Sequence, residues 1–422
     1  MYSNLAVRNL PIGAKLGSSI FDDRQTKLLA AGMEITEQLL QSLLNRNVDT
    51  VVVSKRDLSR LTAFRPQGKA RSAPADRASA RSAYENDVSR LLDTHAAETR
   101  HPPLTPSRDP FAARVKPVSH GVYDRDFTNY IADQREYHVD RMLNVAETCI
   151  KGDSSLVGEL TGVVGESLDS AVEDLDAYTC LGANPFTAQY PTRHSIHVAM
   201  LASSIAVRLQ LDEASITSLA TGCLLHDIGM LAVDQMAVAA KKHLEPDEFA
   251  EIAKHPIKTF ELIERHLETV TPAARMVAYQ MHERADGSGY PRGRTLPQIH
   301  PLARIAAVAD AYAALVAPRP HRPGMMPYYA IEKLLRDVSR GLYDPQAVRG
   351  LLSAVALFPI GSFVELSNGY VGRILRANGE DYMHPVIEVW KAGSLSNRSS
   401  ILNLQIESNV RVVKPLADLH AH

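Results

Sequence analysis

The chain has 422 residues, with 46 lysines and arginines against 48 aspartates and glutamates and a formal net charge of −2. Near-neutrality argues against a general nucleic-acid binder, which needs a basic excess to displace counterions. No run approaches the about 20 apolar residues of a membrane span, and the first ten residues hold Arg8 and no apolar signal core. Cys149, Cys180 and Cys223 stand far apart, which argues against a disulfide framework or zinc ribbon and fits a reducing cytoplasm.

Residues 1–62 read as a small α/β module. Ile12 to Ala31 holds two strands turning at Asp22-Asp23, Thr36 caps a helix carrying Leu39, Leu40, Leu43 and Leu44, and Val51 to Val53 is a short buried strand. Residues 63–120 change character. Between Arg65 and Lys116 lie six prolines and ten basic against six acidic residues, with large aliphatics scarce. Such composition buries too little to offset ordering entropy, so a disordered linker is expected.

Helical periodicity starts near Tyr123. Ile131, Val139, Met142, Val145 and Ala146 form one stripe, and Leu156, Leu160, Val163, Val164 and Leu168 another. Residues 121–185 are therefore a helical connector, and residues 186–356 continue as successive amphipathic helices. After Leu357 the period becomes two. Phe363 to Leu366, a turn at Asn368-Gly369 and Val371 to Leu375 predict a hairpin, followed by strands at Val386–Trp390, Leu402–Ile406 and Val410–Val413. The fold class is mainly α: an all-α bundle between a small α/β module and a small β module over residues 357–422.

Sixteen histidines are the compositional oddity, and position decides among them. His194 opens an apolar helix, His226-Asp227 closes the run Cys223-Leu224-Leu225, and His255 precedes Pro256 at a helix junction. His282 precedes a glycine-rich loop, Ala285 to Pro291. Asp310 is the most telling, because a carboxylate amid Ile305 to Ala309 is costly to desolvate unless it is paired or metal-bound. A lone interior histidine is most often a hydrogen-bonded core residue, and a lone buried aspartate a cap or ion-pair partner. Taken together, the histidines and aspartates instead fit a metal cage built from facing helices.

The ordered set His194-Ser195, His226-Asp227-Ile228-Gly229, His255-Pro256, His282-Glu283-Arg284, Asp286-Gly287-Ser288-Gly289-Tyr290-Pro291 and Asp310 resembles the HD-GYP domain. This is the branch of HD metal-dependent phosphohydrolases that cleaves cyclic di-GMP. Arg304-Ile305 and Arg319-Pro320-His321-Arg322 add to the likeness, which runs from about Tyr190 to Leu352. It implies a bacterial phosphodiesterase with two iron or manganese ions. His194, His226, Asp227 and Asp310 would hold one ion, and His255 and His282 the other. Asp227 would bridge the two as the catalytic carboxylate. Arg319, Arg322, Gly289, Tyr290 and Pro291 would meet the substrate, and pGpG or GMP would be the product. Candidate protein partners are diguanylate cyclase domains, other signalling proteins and a second copy of the chain.

The chain departs from the family pattern at four positions. Met281 stands where a second histidine usually precedes Glu-Arg, and Met230 replaces a lysine. Tyr190 replaces the glutamate of three-metal members, and Ala313 an aspartate. A thioether is a poor ligand for iron(II) or manganese. The alternatives to a dinuclear phosphodiesterase are a catalytically silent nucleotide receptor and a mononuclear phosphohydrolase acting on another phosphoester. His197 is read as a core residue or one backing the ligands, and His243, His266, His300, His321, His384, His420 and His422 as surface.

Overall fold

The computed structural model describes parts of residues 2–54 and residues 104–118, 124–151, 157–184, 191–232, 246–267, 269–318, 323–391, 399–407 and 409–417. The chain divides into two compact units, Met1–Ser82 and Ala83–His422.

In the first unit, strands β1 (Tyr2–Ala6), β2 (Ile20–Phe21), β3 (Lys27–Leu29) and β4 (Thr50–Ser54) form an antiparallel sheet in the order β1-β4-β2-β3. Val51 and Val53 are buried and Val52 is half-buried, the alternation of a strand with one face on a core. The paired strands β2 and β3 and the Val51–Val53 strand lie where the sequence pattern puts them. β1 has no such pattern and exists through its register with β4, Tyr2 opposite Ser54 and Ala6 opposite Thr50. Most of the helix expected after Thr36 lies outside the described residues; Leu40 donates to the Thr36 carbonyl at 3.1 Å.

In the second unit, residues 104–118 differ from the expected disordered linker, and the parts of that expectation covering residues 63–103 and 119–120 lie outside the described residues. Leu104 and Phe111 are buried in the helical core. The Leu104 amide donates to Gln346 Oε1 at 2.7 Å and the Phe111 amide to the Leu211 carbonyl at 3.0 Å. Two buried apolar side chains and these hydrogen bonds dock a proline-rich segment, and proline leaves the unfolded chain less conformational freedom to lose.

The bundle comprises α1 (Arg125–Ile150), α2 (Val157–Glu173), α3 (Leu175–Ala183), α4 (Thr192–Arg208), α5 (Glu213–Leu225), α6 (Pro246–Ile252), α7 (His255–His266), α8 (Pro272–Gln280), α9 (Pro301–Val316), α10 (Pro327–Ser339) and α11 (Pro345–Val355). Asp124, Asp174, Asp212, Thr271 and Asp344 cap α1, α3, α5, α8 and α11 through their side chains. Each helix from α7 to α11 carries proline in its first turn, where a missing N–H costs nothing. Helix α4 is buried on every side from Ser195 to Val207 and packs against α3, α5, α9 and α11. All five residues of the first predicted stripe are buried on α1.

Strands β5 (Phe363–Leu366), β6 (Tyr370–Arg376), β7 (Val386–Lys391), β8 (Ser400–Asn403) and β9 (Val412–Leu416) form an antiparallel sheet in the order β8-β7-β6-β5-β9. Gly369 takes the positive φ (79°) that the β5–β6 turn requires. Strands β8 and β9 are displaced by a few residues from their predicted positions. Pro415 is tolerated in β9 because that strand is the sheet edge.

Candidate metal centre

Helix α5 ends at His226, so the helix terminus itself delivers His226 and Asp227 to the bundle interior, and a 3-10 turn, Ile228–Ala232, follows. That turn lies against α7. A Cβ on Gly229 would stand 2.4 Å from the His255 carbonyl and 2.6 Å from Thr259 Oγ1, so only glycine fits. His255 begins α7, His282 follows α8, His194 lies in the first turn of α4, and Asp310 sits in mid α9.

The structure brings all six predicted ligands together. The two carboxylate oxygens of Asp227 face different partners: Oδ2 lies 3.1 Å from His226 Nε2, and Oδ1 lies 3.2 Å from His255 Nε2 and 3.9 Å from His282 Nε2. Asp310 Oδ1 is 2.9 Å from His194 Nε2, and its Oδ2 is 3.4 Å from His282 Nδ1. Two overlapping triads, His194/His226/Asp310 and His226/Asp227/His282, have ligand atoms within 4.8 Å of one another. His282 therefore stands between the two carboxylates, closer to Asp310 than the assignment of His282 to the second ion implies.

His226 Nε2, Asp227 Oδ1, His255 Nε2 and His282 Nε2 are buried and make no hydrogen bond; the approaches above lack the geometry. Buried polar atoms are rarely left this way, and here all four point into one space. The other ring nitrogens are engaged. His226 Nδ1 donates to the Cys223 carbonyl at 2.7 Å, and His255 Nδ1 to the Ile252 carbonyl at 2.8 Å. Each bond fixes the tautomer that leaves Nε2 free to bind a cation. The donor set, imidazole nitrogens with carboxylates, suits a first-row divalent ion.

Burial opposes charge on His226 and His282, but the neighbouring carboxylates outweigh it. His226 is pushed up, and His282 is raised to about 9 by Asp227 and Asp310. Burial likewise opposes ionisation of Asp227 and Asp310, and the histidines overcome it and hold both well below the usual carboxylate range. On His255 burial prevails and its value is lowered. The two carboxylates thus favour positive charge at this place, which a bound divalent cation would supply.

The glycine-rich loop closes one side. Gly289 lets its backbone approach that of Glu283 and Arg284, where a Cβ would meet Arg284 N at 2.3 Å. Tyr290 lies flat on His282, with ring centroids 5.0 Å apart and an interplanar angle of 17°. The buried Glu283 carboxylate accepts from the amides of Arg292 and Arg294, both at 2.9 Å. Arg304 is buried and ties the start of α9 to Asp344, so it belongs to the scaffold. Arg319, Arg322 and Tyr190 lie outside the described residues. Met230 and Met281 are buried, Met281 within the apolar core. His197 is buried and faces the Gly182 carbonyl, apart from the cage. His300, predicted on the surface, is half-buried and accepts from the Leu302 amide at the start of α9.

Sequence reasoning missed Thr259. Its hydroxyl donates to the His226 carbonyl at 2.8 Å and accepts from the Gly229 amide at 3.0 Å. Its place one helical turn after His255 is the only signal that the sequence offers.

A model of the HD domain matches residues 171–347. A cyclic di-GMP phosphodiesterase of Pseudomonas aeruginosa is 32% identical over 202 residues, 48% of each chain. A cyclic di-GMP phosphodiesterase of Thermotoga maritima is 31% identical over 38% of this chain and 43% of its own length. A 3′3′-cGAMP-specific phosphodiesterase of Vibrio cholerae is 33% identical over 40% and 36%. The chain thus spans about half or less of the length of these relatives. A solved HDG"Y"P protein from Bdellovibrio bacteriovorus is similar over 83% of this chain and 98% of its own, with a TM-score of 0.46 and 16% identity. Residues 171–347 thus match the HD domain, and the ordered motifs and the six converging residues lie within that match.

Proposed function

We propose that this chain is a metal-dependent phosphodiesterase that hydrolyses cyclic di-GMP to pGpG or GMP in bacterial second-messenger signalling. The observation that carries the reading is the convergence of four buried ligand atoms without a hydrogen bond, from His226, Asp227, His255 and His282. Relatives named as cyclic di-GMP phosphodiesterases support the substrate class.

Two iron or manganese ions fit the cage. His194, His226, Asp227 and Asp310 would hold one, and Asp227, His255 and His282 the other. Divalent ions bound there supply an activated water and positive charge for the phosphoryl oxygens. Asp227 would take the catalytic role as the ligand shared by both ions, because its two oxygens face different histidines, Oδ2 toward His226 and Oδ1 toward His255 and His282. Gly289, Tyr290 and Pro291 would wall the substrate, and Arg319 and Arg322 would grip phosphate through their planar forks.

The plan outside the cage is a signal-receiving N-terminal module (1–62), a linker (63–120), a helical connector (121–185), the HD-GYP domain (186–356) and a β module (357–422). The setting is cytoplasmic. One described stretch, Glu213–Leu231, is long and apolar enough to cross a membrane; it is largely buried and contains His226 and Asp227. Diguanylate cyclase domains, other signalling proteins and a second copy of the chain are the proposed partners.

The test is turnover. Protein purified under reducing conditions and loaded with iron or manganese should convert cyclic di-GMP to pGpG or GMP, and Asp227→Ala should abolish it. Absence of product at every metal loading refutes the enzyme. Retained binding in that case supports a second reading, a nucleotide receptor without turnover, which buried Met281 and Met230 favour by thinning the second ion's ligands and the phosphate contacts.

A further inference from the structure

Outside the cage, the rim of the site carries an aromatic side chain to which neither the motifs nor the ligand accounting assigns a role. Phe249 on α6 is 49% exposed. Its ring meets Tyr290 edge to face, with centroids 5.8 Å apart and planes at 89°. Tyr290 in turn lies on His282 and is 6.0 Å from the His255 ring. A continuous run of ring surface therefore leads from the cation-binding histidines to solvent. Packing of α6 does not require it, since a core anchor would be buried. An edge-to-face contact engages an edge of one ring and one face of the other, and Phe249, half-exposed, keeps ring surface open to solvent.

We propose that Phe249, backed by Tyr290, is the stacking platform for one purine base of a cyclic dinucleotide whose phosphodiester lies at the His/Asp cage. Phe249 is then a specificity-determining residue. The inference rests on the phosphodiesterase reading and adds the contact that reads the base. The chemistry follows from position. A phosphodiester held at the cage places its nucleoside at the rim, and a planar base there gains more from an open aromatic face than an aliphatic group does. Stacking tolerates any base, so the platform favours cyclic dinucleotides over phosphodiesters without bases but does not by itself select guanine.

The experiment uses the full chain loaded with manganese, measuring cyclic di-GMP binding and turnover in the native protein, Phe249→Ala, Phe249→Leu and Phe249→Trp. Inorganic phosphate serves as the base-free probe of the cage. Loss of one base–aromatic stack should raise Kd and KM for cyclic di-GMP about tenfold in Phe249→Ala. Phe249→Leu should lose nearly as much, and Phe249→Trp should match or exceed native affinity. Turnover at saturation, phosphate binding and bound manganese should stay within about twofold of native in all three variants. Native-like cyclic di-GMP affinity in Phe249→Ala or Phe249→Leu overturns the platform. Equal weakening of cyclic di-GMP and phosphate also overturns it, because Phe249 would then act by holding the cage. If the native protein neither binds nor cleaves cyclic di-GMP, the phosphodiesterase reading falls and takes this one with it. Binding that survives Phe249→Ala removes the platform alone.

Discussion

Thr259 holds the main chain of His226: its hydroxyl donates to the His226 carbonyl at 2.8 Å and accepts from the Gly229 amide at 3.0 Å. Asp227 lies between these two anchor points, so one side chain on α7 sets the backbone that presents the Asp227 carboxylate. Thr259→Val keeps the shape and leaves a buried carbonyl and a buried amide unpaired, at about 1–3 kcal/mol each. We expect a lowered melting temperature and a manganese affinity weakened about 10–100-fold, as for other groups that orient metal ligands. Thr259→Ser should restore both. Unchanged metal affinity in Thr259→Val, measured by equilibrium dialysis, would show that the hydroxyl serves packing alone.

Glu283 organises the loop that carries Tyr290. Its two oxygens accept separately from the Arg292 and Arg294 amides. Glu283→Gln offers one acceptor where two are needed and turns an NH2 toward the other amide. Hydrogen exchange at residues 292 and 294 should rise at least tenfold, while exchange in α4 stays as in the native protein. Equal exchange in the two proteins would rule out this role.

Arg376 on β6 clamps the β module to the bundle through the Asp174 carboxylate, with contacts of 2.9 and 2.8 Å, both side chains buried. Asp174 also caps α3 through the amides of Asp176 and Ala177. Removing one partner of a buried pair strands the other's charge, so Arg376→Met should cost about 3–5 kcal/mol. Asp174→Asn in the same chain keeps the cap and removes the stranded charge, and should recover much of that loss. Additive losses in the double variant, read by denaturant unfolding, would contradict the coupling.

The cage was legible in the sequence because several imidazoles and a carboxylate stand together in apolar helical runs, such as Asp310 among Ile305 to Ala309, where each alone would read as a core or capping residue. The stripe on α1 and the Asn368-Gly369 turn were legible for the same kind of reason: a period or a turn residue leaves a local mark. Features made by distant partners left none. β1 depends on β4, and Leu104 depends on Gln346 across 242 positions of chain. Thr259 on α7 looks like any half-polar helical residue until its hydroxyl is seen to bridge two backbone groups 33 and 30 residues away.

His197 gives the bundle a specific acid sensitivity. Burial, with a smaller contribution from the Arg135 charge, lowers its value to about 3 from an ordinary 6.5. Below 6.5 the unfolded chain takes a proton that the folded chain refuses, so the stabilisation is complete above that pH and is lost as pH falls toward 3. The slope is about 1.4 kcal/mol per pH unit for one proton. His197→Gln does not titrate and keeps a donor for the Gly182 carbonyl, which the Nδ1 atom faces at 3.2 Å. Its unfolding free energy should fall less steeply than native between pH 6 and 4, by about that slope. Parallel slopes would mean that His197 is not the group responsible.

Met281 is fully buried at the end of α8, immediately before His282. A thioether there satisfies the apolar core and contributes little to a hard cation. Met281→His exchanges that packing for an imidazole, which without metal is a buried polar group lacking an assigned partner and should lower the melting temperature. Manganese should raise the melting point of the variant more than that of the native protein, because ligation satisfies the new nitrogen and links binding to folding. Bound manganese per chain should move toward two, with a higher turnover of cyclic di-GMP. A destabilised variant whose metal content and metal-induced stabilisation match those of the native protein would show that residue 281 does not reach the cage, leaving the second ion to Asp227, His255 and His282.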